Sequence, residues 1–176
     1  MKRASLFLLA VLVLGATCAY AGDPFPDLAL GGKLDEDQRA YLGVASDSFK
    51  LSDIRAEYLF IEAYSMYCPI CQRDAPHVNE AFEAIAAADK AGRIRFLGLA
   101  LGNTPFEVEF YRKKYAVQFP LFGDEDYVIH KALGEVPTPA FYVVKLGPEP
   151  EILFKKVGEA EGTEALLQAI KEHTGI

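Results

Sequence analysis

Two cysteines separated by two residues are the side chains of this sequence best suited to chemistry. The motif Cys68-Pro69-Ile70-Cys71 lies where a predicted strand gives way to a predicted helix. The start of a helix presents unpaired N–H groups and about half a unit of positive charge, and both favour a thiolate over a thiol. In such motifs the pKa of a cysteine falls from about 8.5 to roughly 3.5–7.5. We therefore expect Cys68 to attack and Cys71, one helical turn later, to resolve a mixed disulfide.

Other uses of a C-x-x-C pair fit this sequence less well. A closed structural zinc site needs four ligands, and no second C-x-x-C motif or histidine pair supplies them. Haem attachment needs a histidine directly after the second cysteine, where this chain has Gln72. A disulfide across so short a loop stabilises a fold by less than the ~3 kcal/mol estimated for a 15-residue loop. The pair is therefore predicted to be a redox-active disulfide that needs neither a metal nor an organic cofactor.

The pair is set within alternating strands and helices. A nearly continuous apolar run at 58–64 is typical of a strand buried on both faces, and the Ala-rich segment from 69 to about 91 is typical of a helix. Thr104, Pro105 and Glu107 provide an N-cap, a first-turn proline and a capping box for another helix. Further strands are predicted at 94–101, 118–122, 140–144 and 152–157, and further helices at 124–133 and 163–173. This order predicts an α/β layer sandwich.

The first 21 residues have the pattern of an export signal. A basic start and a short apolar run precede the small-x-small site Ala19-Tyr20-Ala21. We expect cleavage after Ala21, a periplasmic or otherwise exported protein, and one mature domain of residues 22–176. In the alternative interpretation Cys18 is a lipid-attachment site, although the residues before it match the usual pattern poorly.

The charge of the chain restricts its partners. The formal net charge is -7, and removal of Lys2 and Arg3 with the leader, which contains no acidic residue, would change it to -9. Nucleic acids and anionic membranes attract clustered cations, so neither is an expected partner.

Around the cysteine pair the sequence resembles the thioredoxin superfamily, and within it the exported proteins of the TlpA and ResA type. Glu62 lies six residues before Cys68, where thioredoxin carries a buried acid, and Pro76 lies five residues after Cys71, where the family kinks its active-site helix. The segment 136–141 is similar to the one that carries the family's cis-proline. The resemblance covers most of the mature chain.

This resemblance implies a thioredoxin fold: a central mixed β-sheet flanked by helices, with an N-terminal strand extension and a strand-helix insertion between residues 99 and 133. It also implies that the substrate backbone lies beside the cis-proline. Either Pro137 or Pro139 could be that residue. Pro139 is preferred because the strand at 140–144 follows it directly, and Thr138 would then face the sulfurs.

The function that the resemblance implies is an exported thiol-disulfide oxidoreductase acting on Cys-containing proteins. A reducing role in cytochrome c maturation would make apocytochrome c a partner, with a membrane protein as electron donor or acceptor. Two departures leave the direction of electron flow open: Tyr67 replaces the Trp before the first cysteine, and Pro-Ile replaces Gly-Pro between the cysteines. Tyr67 and Pro69 are expected to border the substrate, whereas Pro76 and Pro137 are expected to be structural.

Burial of Glu62 beside the pair would have a chemical consequence. Loss of hydration disfavours a carboxylate, so the pKa of Glu62 should be raised. Such a group could serve as the base that takes the proton of the Cys71 thiol.

Two other functions use the same residues. A peroxiredoxin-like thiol peroxidase fits Ser65, a hydroxyl residue three before Cys68, but Ile61 stands where the peroxiredoxin proline would be. A copper-binding chaperone would use both thiolates, but copper-chaperone relatives space their cysteines three apart rather than two.

Two further groups of side chains are assigned ordinary roles. One helix carries aromatic residues spaced along a face, and they are predicted to belong to the core: Phe106, Phe110, Tyr111 and Tyr115. The histidines are expected to be solvated helical residues: His77, His130 and His173.

Overall fold

The computed structural model describes residues 22–176, so the predicted leader and Cys18 lie outside the described residues. The strands and helices are, in chain order, β1 (Asp23–Pro24), β2 (Ala29–Gly31), α1 (Glu36–Leu42), β3 (Ser48–Lys50), β4 (Tyr58–Tyr64), α2 (Pro69–Ala88), β5 (Ile94–Leu101), α3 (Pro105–Lys114), β6 (Leu121–Asp124), α4 (Val128–Ala132), β7 (Ala140–Lys145), β8 (Glu151–Val157) and α5 (Thr163–Thr174). Within this part of the chain no helix is both long and apolar enough to cross a membrane.

Six strands form one mixed sheet in the order β1-β8-β7-β4-β5-β6. β4, β5 and β6 run parallel, whereas β7 is antiparallel to both β4 and β8. β1 pairs antiparallel with the edge of β8 that β7 leaves free, and β2 and β3 form a separate two-stranded sheet. The ends of β4, β5, β6 and β8 therefore meet the start of β7 at one edge, which we call the carboxyl edge. The predicted mixed sheet, N-terminal extension and central insertion are confirmed.

The sheet has a hydrophobic core on each face, and β4 contributes to both. Leu59 and Ile61 pack with the N-terminal strands and α1, whereas Phe60 and Tyr64 pack with α2 and α5. Successive side chains of a strand point to opposite faces. The side chain of Glu62 therefore shares the α2 face with Phe60 and Tyr64.

The helix α2 carries the cysteine pair in its first turn. Cys68 is the N-cap and Pro69 is the first helical residue. The helix ends at Ala88 rather than at about residue 91, because the Asp89 carboxylate accepts a hydrogen bond from the N–H of Ile94 at 2.7 Å. One stripe of the helix is buried against the sheet: Cys71, Ala75, Val78, Ala81 and Ile85.

The insertion after β5 differs in its boundaries from the prediction. The predicted strand at 118–122 lies instead at Leu121–Asp124, where it pairs with β5. The helix predicted from residue 124 begins at Val128. Asp124 is the last residue of β6, and its carboxylate accepts from the N–H groups of Ile129 and His130, both at 2.8 Å. The Asp124 side chain thus provides hydrogen-bond acceptors for two backbone N–H groups at the start of α4.

Candidate active site

The cysteine pair lies at the carboxyl edge of the sheet, where β4 leads into α2. The N–H of Cys71 donates to Sγ of Cys68 at 3.2 Å, so the first sulfur caps the helix. Both are free thiols, Cys68 partly exposed and Cys71 fully buried. Pro69 is exposed and Ile70 half-buried. The first sulfur can therefore be reached from solvent at the positive end of a helix, whereas the second is shielded from solvent.

The environment of Cys71 favours its thiol form. Burial raises the pKa of Cys71 above its ordinary value, and the adjacent Cys68 sulfur and the Glu62 carboxylate raise it further. The hydroxyl of Tyr111 donates to the carbonyl oxygen of Cys71 at 3.0 Å and fixes this first turn of the helix. Cys71 therefore needs a base before it can act as a nucleophile.

Glu62 is a buried acid in the centre of the sheet. It lies between Gly98 of β5 and Phe141 of β7, and its residue is 2% exposed. Its Oε1 has no hydrogen-bond partner among the described residues. Burial, and then the charge of Asp74, raise the pKa of Glu62 to about 8. The structure therefore confirms the burial and the raised pKa, whereas the role of Glu62 as a base stays a prediction.

Asp74 is a second buried acid that the sequence analysis missed. It lies three residues after Cys71 on α2 and is 2% exposed. Its Oδ2 accepts from the N–H of Ala160, in the loop after β8, at 2.8 Å. Burial raises the pKa of Asp74, and this hydrogen bond lowers it. The i, i+3 spacing from Cys71 places it near the buried stripe of the helix, and that spacing was the available signal.

Replacing Asp74 with alanine should lower the free energy of unfolding by about 1–3 kcal/mol, because the buried N–H of Ala160 would lose its acceptor. Asp74→Asn retains an acceptor oxygen and should therefore lower the free energy of unfolding by less than Asp74→Ala does. Urea denaturation of the two variants measures the difference. As a matched control, Asp37→Ala removes an exposed acid from α1 and should change stability by no more than about 0.5 kcal/mol. Equal losses for Asp74→Ala and Asp37→Ala would contradict the assigned role.

The proline-rich segment before β7 lies against the first sulfur. Its cis peptide bond joins Thr138 to Pro139, as preferred from the sequence, whereas Pro137 is exposed. The thiol of Cys68 donates to the carbonyl oxygen of Thr138 at 3.4 Å. This contact places the Thr138-Pro139 segment directly beside the Cys68 sulfur.

One face of the insertion holds the loop that carries Cys68. Oδ1 of Asn103 accepts from the N–H of Met66 at 2.8 Å, and the Glu107 carboxylate accepts from the hydroxyl of Tyr67. Farther along α3, Tyr111 reaches the carbonyl of Cys71, as described above. Glu107 and Tyr111 are four residues apart on α3 and therefore lie on one side of the helix, and Asn103 lies just before the N-cap Thr104. These three side chains hold residues on both sides of Cys68, and the sequence analysis did not identify these contacts.

The expectation that the α3 aromatic residues belong to the core is wrong for two of them. Tyr111 is buried and Tyr115 half-buried, with their rings 4.6 Å apart. In contrast, Phe106 is 80% exposed and Phe110 is 47% exposed. Only the side of α3 that carries Tyr111 packs into the core. The side that carries Phe106 and Phe110 therefore faces solvent.

The three histidines lie on helices, as expected, but they are half-buried rather than fully solvated, and each is in hydrogen-bond contact. Nδ1 of His77 lies 3.2 Å from Oγ1 of Thr163, and this contact joins α2 to α5. Nε2 of His130 lies 3.1 Å from the carbonyl oxygen of Val136, at the start of the proline-rich segment. The third contact is local, between Nδ1 of His173 and the carbonyl of residue 169 at 2.8 Å.

Pro76 lies inside α2, at an exposed position of the second turn. Because proline has no N–H, the carbonyl of Gln72 lacks the donor that a regular helix would supply. The side chain of Gln72 donates from Nε2 to the carbonyl of Met66 at 2.7 Å, which further fixes the loop before Cys68.

Comparison with known proteins agrees with this geometry. A model of the AhpC/TSA family matches residues 21–149. The thiol-disulfide oxidoreductase ResA of Bacillus subtilis (strain 168) is 23% identical over 172 residues, which cover 94% of this chain and 91% of that protein.

Among solved structures, a Chlorobium tepidum protein assigned as the thiol:disulfide interchange protein DsbE superposes with a TM-score of 0.67 at 20% identity, over 87% of this chain and 96% of that one. A secreted Mycobacterium tuberculosis disulfide oxidoreductase homologous to E. coli DsbE gives a TM-score of 0.62 at 17% identity, over 83% and 96% of the two chains. These likenesses show that the fold is the thioredoxin fold.

Proposed function

Because this chain belongs to the AhpC/TSA family and is a thiol-disulfide oxidoreductase of the thioredoxin fold, we propose that it acts outside the cytoplasm and reduces disulfides in Cys-containing exported proteins. Cys68 is the nucleophile and Cys71 the resolving residue. The observation that carries this proposal is the capping of α2 by the partly exposed Cys68 sulfur, with the buried Cys71 thiol one turn behind it.

The proposed reaction has two exchange steps. The Cys68 thiolate attacks one sulfur of a substrate disulfide, a Cys68–substrate bond forms, and the other substrate sulfur leaves as a thiolate. Cys71 then loses its proton and attacks Cys68, which releases the second substrate thiolate and leaves a Cys68–Cys71 disulfide. Two electrons pass to the substrate, and the two sulfurs carry them without a metal or an organic cofactor. A dithiol on a membrane electron donor would regenerate the pair.

Glu62 is the proposed base of the second step. Its pKa of about 8 leaves it protonated over much of the neutral range and allows it to exchange a proton with the buried Cys71 thiol. Because both groups are buried, water stabilises neither charge and both hold their protons at neutral pH, so only the fraction of Glu62 that has lost its proton could accept the one from Cys71.

The substrate is proposed to lie along the carboxyl edge of the sheet. Thr138 and Pro139 would contact its backbone on one side of Cys68, and Tyr67 and Pro69 would border it on the other. Apocytochrome c is a fitting substrate, because it would present cysteines on an unfolded chain that can extend along this edge. Residues 1–21 are proposed to be the export leader, removed to give a mature domain of residues 22–176, with lipid attachment at Cys18 as the alternative. The secreted Mycobacterium tuberculosis relative supports export.

Equilibration of the mature protein with glutathione buffers, followed by alkylation of free thiols, tests the proposed direction. A reducing protein should have a midpoint potential nearer to about -270 mV, as in thioredoxin, than to about -120 mV, as in a strong oxidant. A Cys71→Ser variant provides the control, because it cannot form the intramolecular disulfide.

Three outcomes would contradict the proposal in different ways. A midpoint near -120 mV would reverse the direction of electron flow. Failure of the pair to oxidise reversibly would show that the protein does not carry out thiol–disulfide exchange through Cys68 and Cys71. Consumption of hydrogen peroxide by the reduced protein at a rate above that of substrate disulfides would favour the thiol peroxidase alternative.

A further inference from the structure

The exposed large apolar side chains are concentrated at the edge of the sheet that carries Cys68. In the described part of the chain they are Tyr67, Phe106, Phe110, Tyr127, Val128 and Val157. Five of them lie in the segments that follow β4, β5 and β6, and the sixth ends β8, where it pairs with Ala140. Such a concentration of exposed apolar side chains is typical of an interaction site.

Three of these side chains lie on α3 or are held against it, and we call them the α3 patch: Tyr67, Phe106 and Phe110. Phe106 and Phe110 are one turn apart and share a face of α3. Glu107 accepts from the hydroxyl of Tyr67, and this contact brings the ring of Tyr67 to the same part of the helix. The patch therefore starts at the residue directly before Cys68 and continues onto the insertion.

Hydrogen bonds fix Tyr67 and the start of α3 relative to the reactive sulfur. The Glu107 carboxylate that holds Tyr67 also accepts from the N–H of Thr104 at 2.8 Å and from its hydroxyl at 3.1 Å. Tyr111 and Asn103 hold the same loop at Cys71 and Met66. A preorganised aromatic surface loses little conformational freedom when a ligand binds, which favours its use in recognition.

The proposed reaction determines what must cover this surface. In the mixed disulfide the substrate cysteine is bonded to Cys68, so its chain must continue in two directions across the surrounding surface. One direction would take the chain past Thr138 and Pro139, and the other past Tyr67 and along α3. An extended chain advances about 3.3 Å per residue, so a substrate that follows the second direction would place residues beyond its cysteine at Phe106 and Phe110.

We propose, on the basis of the function proposed above, that the α3 patch binds a large apolar side chain of an extended protein substrate, a few residues to one side of its reacting cysteine. Small thiols and disulfides do not extend to the patch. The patch therefore makes the protein select Cys-containing polypeptides with apolar residues near the cysteine, and it fixes the direction in which they lie.

The test uses peptides whose single cysteine is disulfide-bonded to thionitrobenzoate, so that attack by Cys68 releases a coloured thiolate. A phenylalanine or a serine is placed two to five residues before or after the cysteine, at constant charge. The reduced protein should react about tenfold faster with the best phenylalanine peptide than with its serine counterpart, as expected for one buried aromatic anchor. The preference should appear on one side of the cysteine only.

The double variant Phe106→Ser/Phe110→Ser should lose this preference and keep its rate with the corresponding glutathione derivative. Both side chains are exposed, so the fold should be retained. Val128→Ser removes an equally exposed apolar side chain from α4, outside the patch, and should keep the preference. In the parent protein, absence of reaction with every substrate would overturn the proposed function. Equal rates of the parent with phenylalanine and serine peptides, or a preference that the double variant retains, with normal glutathione rates, would overturn only the α3 patch.

Discussion

Replacing Cys68 with serine should reduce thiol–disulfide exchange to the uncatalysed rate. The sulfur of Cys68 is the partly exposed one of the pair and the one that caps α2, so the buried Cys71 thiol cannot take its place. A serine hydroxyl can accept the same backbone hydrogen bond, which preserves the helix start, but it cannot form a disulfide. The measurement is the release of thiols from a protein disulfide in the presence of excess reductant.

The matched variant Cys71→Ser should behave differently. It retains the attacking sulfur, so it should form a stable mixed disulfide with one equivalent of substrate and then stop. Mass spectrometry identifies the adduct, and digestion locates the bond at Cys68. If Cys71→Ser turned over as the parent does, or if the adduct formed at Cys71 in the parent protein, the assigned order of attack would be wrong.

Replacing Glu62 with glutamine should remove most of the pH dependence of stability between about pH 4.5 and 8. The pKa of Glu62 is raised from 4.5 in an exposed carboxyl to about 8 in the folded protein. Between these values the unfolded chain releases a proton that the folded protein retains, so the free energy of unfolding falls as the pH rises. This pKa shift corresponds to a decrease of at most about 5 kcal/mol in the free energy of unfolding between pH 4.5 and 8.

Denaturant unfolding of the reduced protein at a series of pH values measures this slope. Glu62→Gln should give a much flatter profile than the parent, with its largest relative gain in stability near pH 8. The slope, rather than the absolute stability, is the informative quantity, because the amide brings its own buried donors. Glu135→Gln, at an exposed position, should keep the parental slope. Equal slopes for Glu62→Gln and the parent would show that Glu62 titrates normally.

The same variant tests the proposed role of Glu62 as a base. Resolution of the mixed disulfide should slow in Glu62→Gln when it is followed by stopped flow, because the Cys71 thiol would lose its proton acceptor. In the parent this rate should rise with pH towards about 8 as Glu62 loses its proton. An unchanged rate and pH profile in the variant would leave Glu62 with a structural role only.

Features that depend on short stretches of sequence were predicted well. The apolar run of β4, the placement of Cys68 before a helix, and the capping box of Thr104 and Glu107 are all present. Each depends on neighbouring residues, whose periodicity and backbone chemistry can be read directly. The burial of Glu62 was expected from the resemblance to thioredoxin, which carries a buried acid six residues before its first cysteine.

Features that depend on tertiary contacts were not predicted. Glu107 was recognised as a capping residue, but its second partner, Tyr67, is 40 residues away in sequence. The Asp74 carboxylate accepts a hydrogen bond from the N–H of Ala160, which lies after the last strand, β8, and 86 residues later in the sequence. The exposure of Phe106 and Phe110 depends on how α3 is oriented, and its helical spacing alone is equally compatible with either face being buried.

The dipeptide between the cysteines is structurally separate from the rest of the site. Pro69 is exposed and Ile70 half-buried, and neither is a member of the two hydrophobic cores, whereas Glu62, Cys71 and Asp74 are all buried. A change of about 30 mV in potential corresponds to 1.4 kcal/mol for a two-electron couple. Exchange of Pro69 and Ile70 could therefore shift the potential of the pair without repacking the buried side chains behind it.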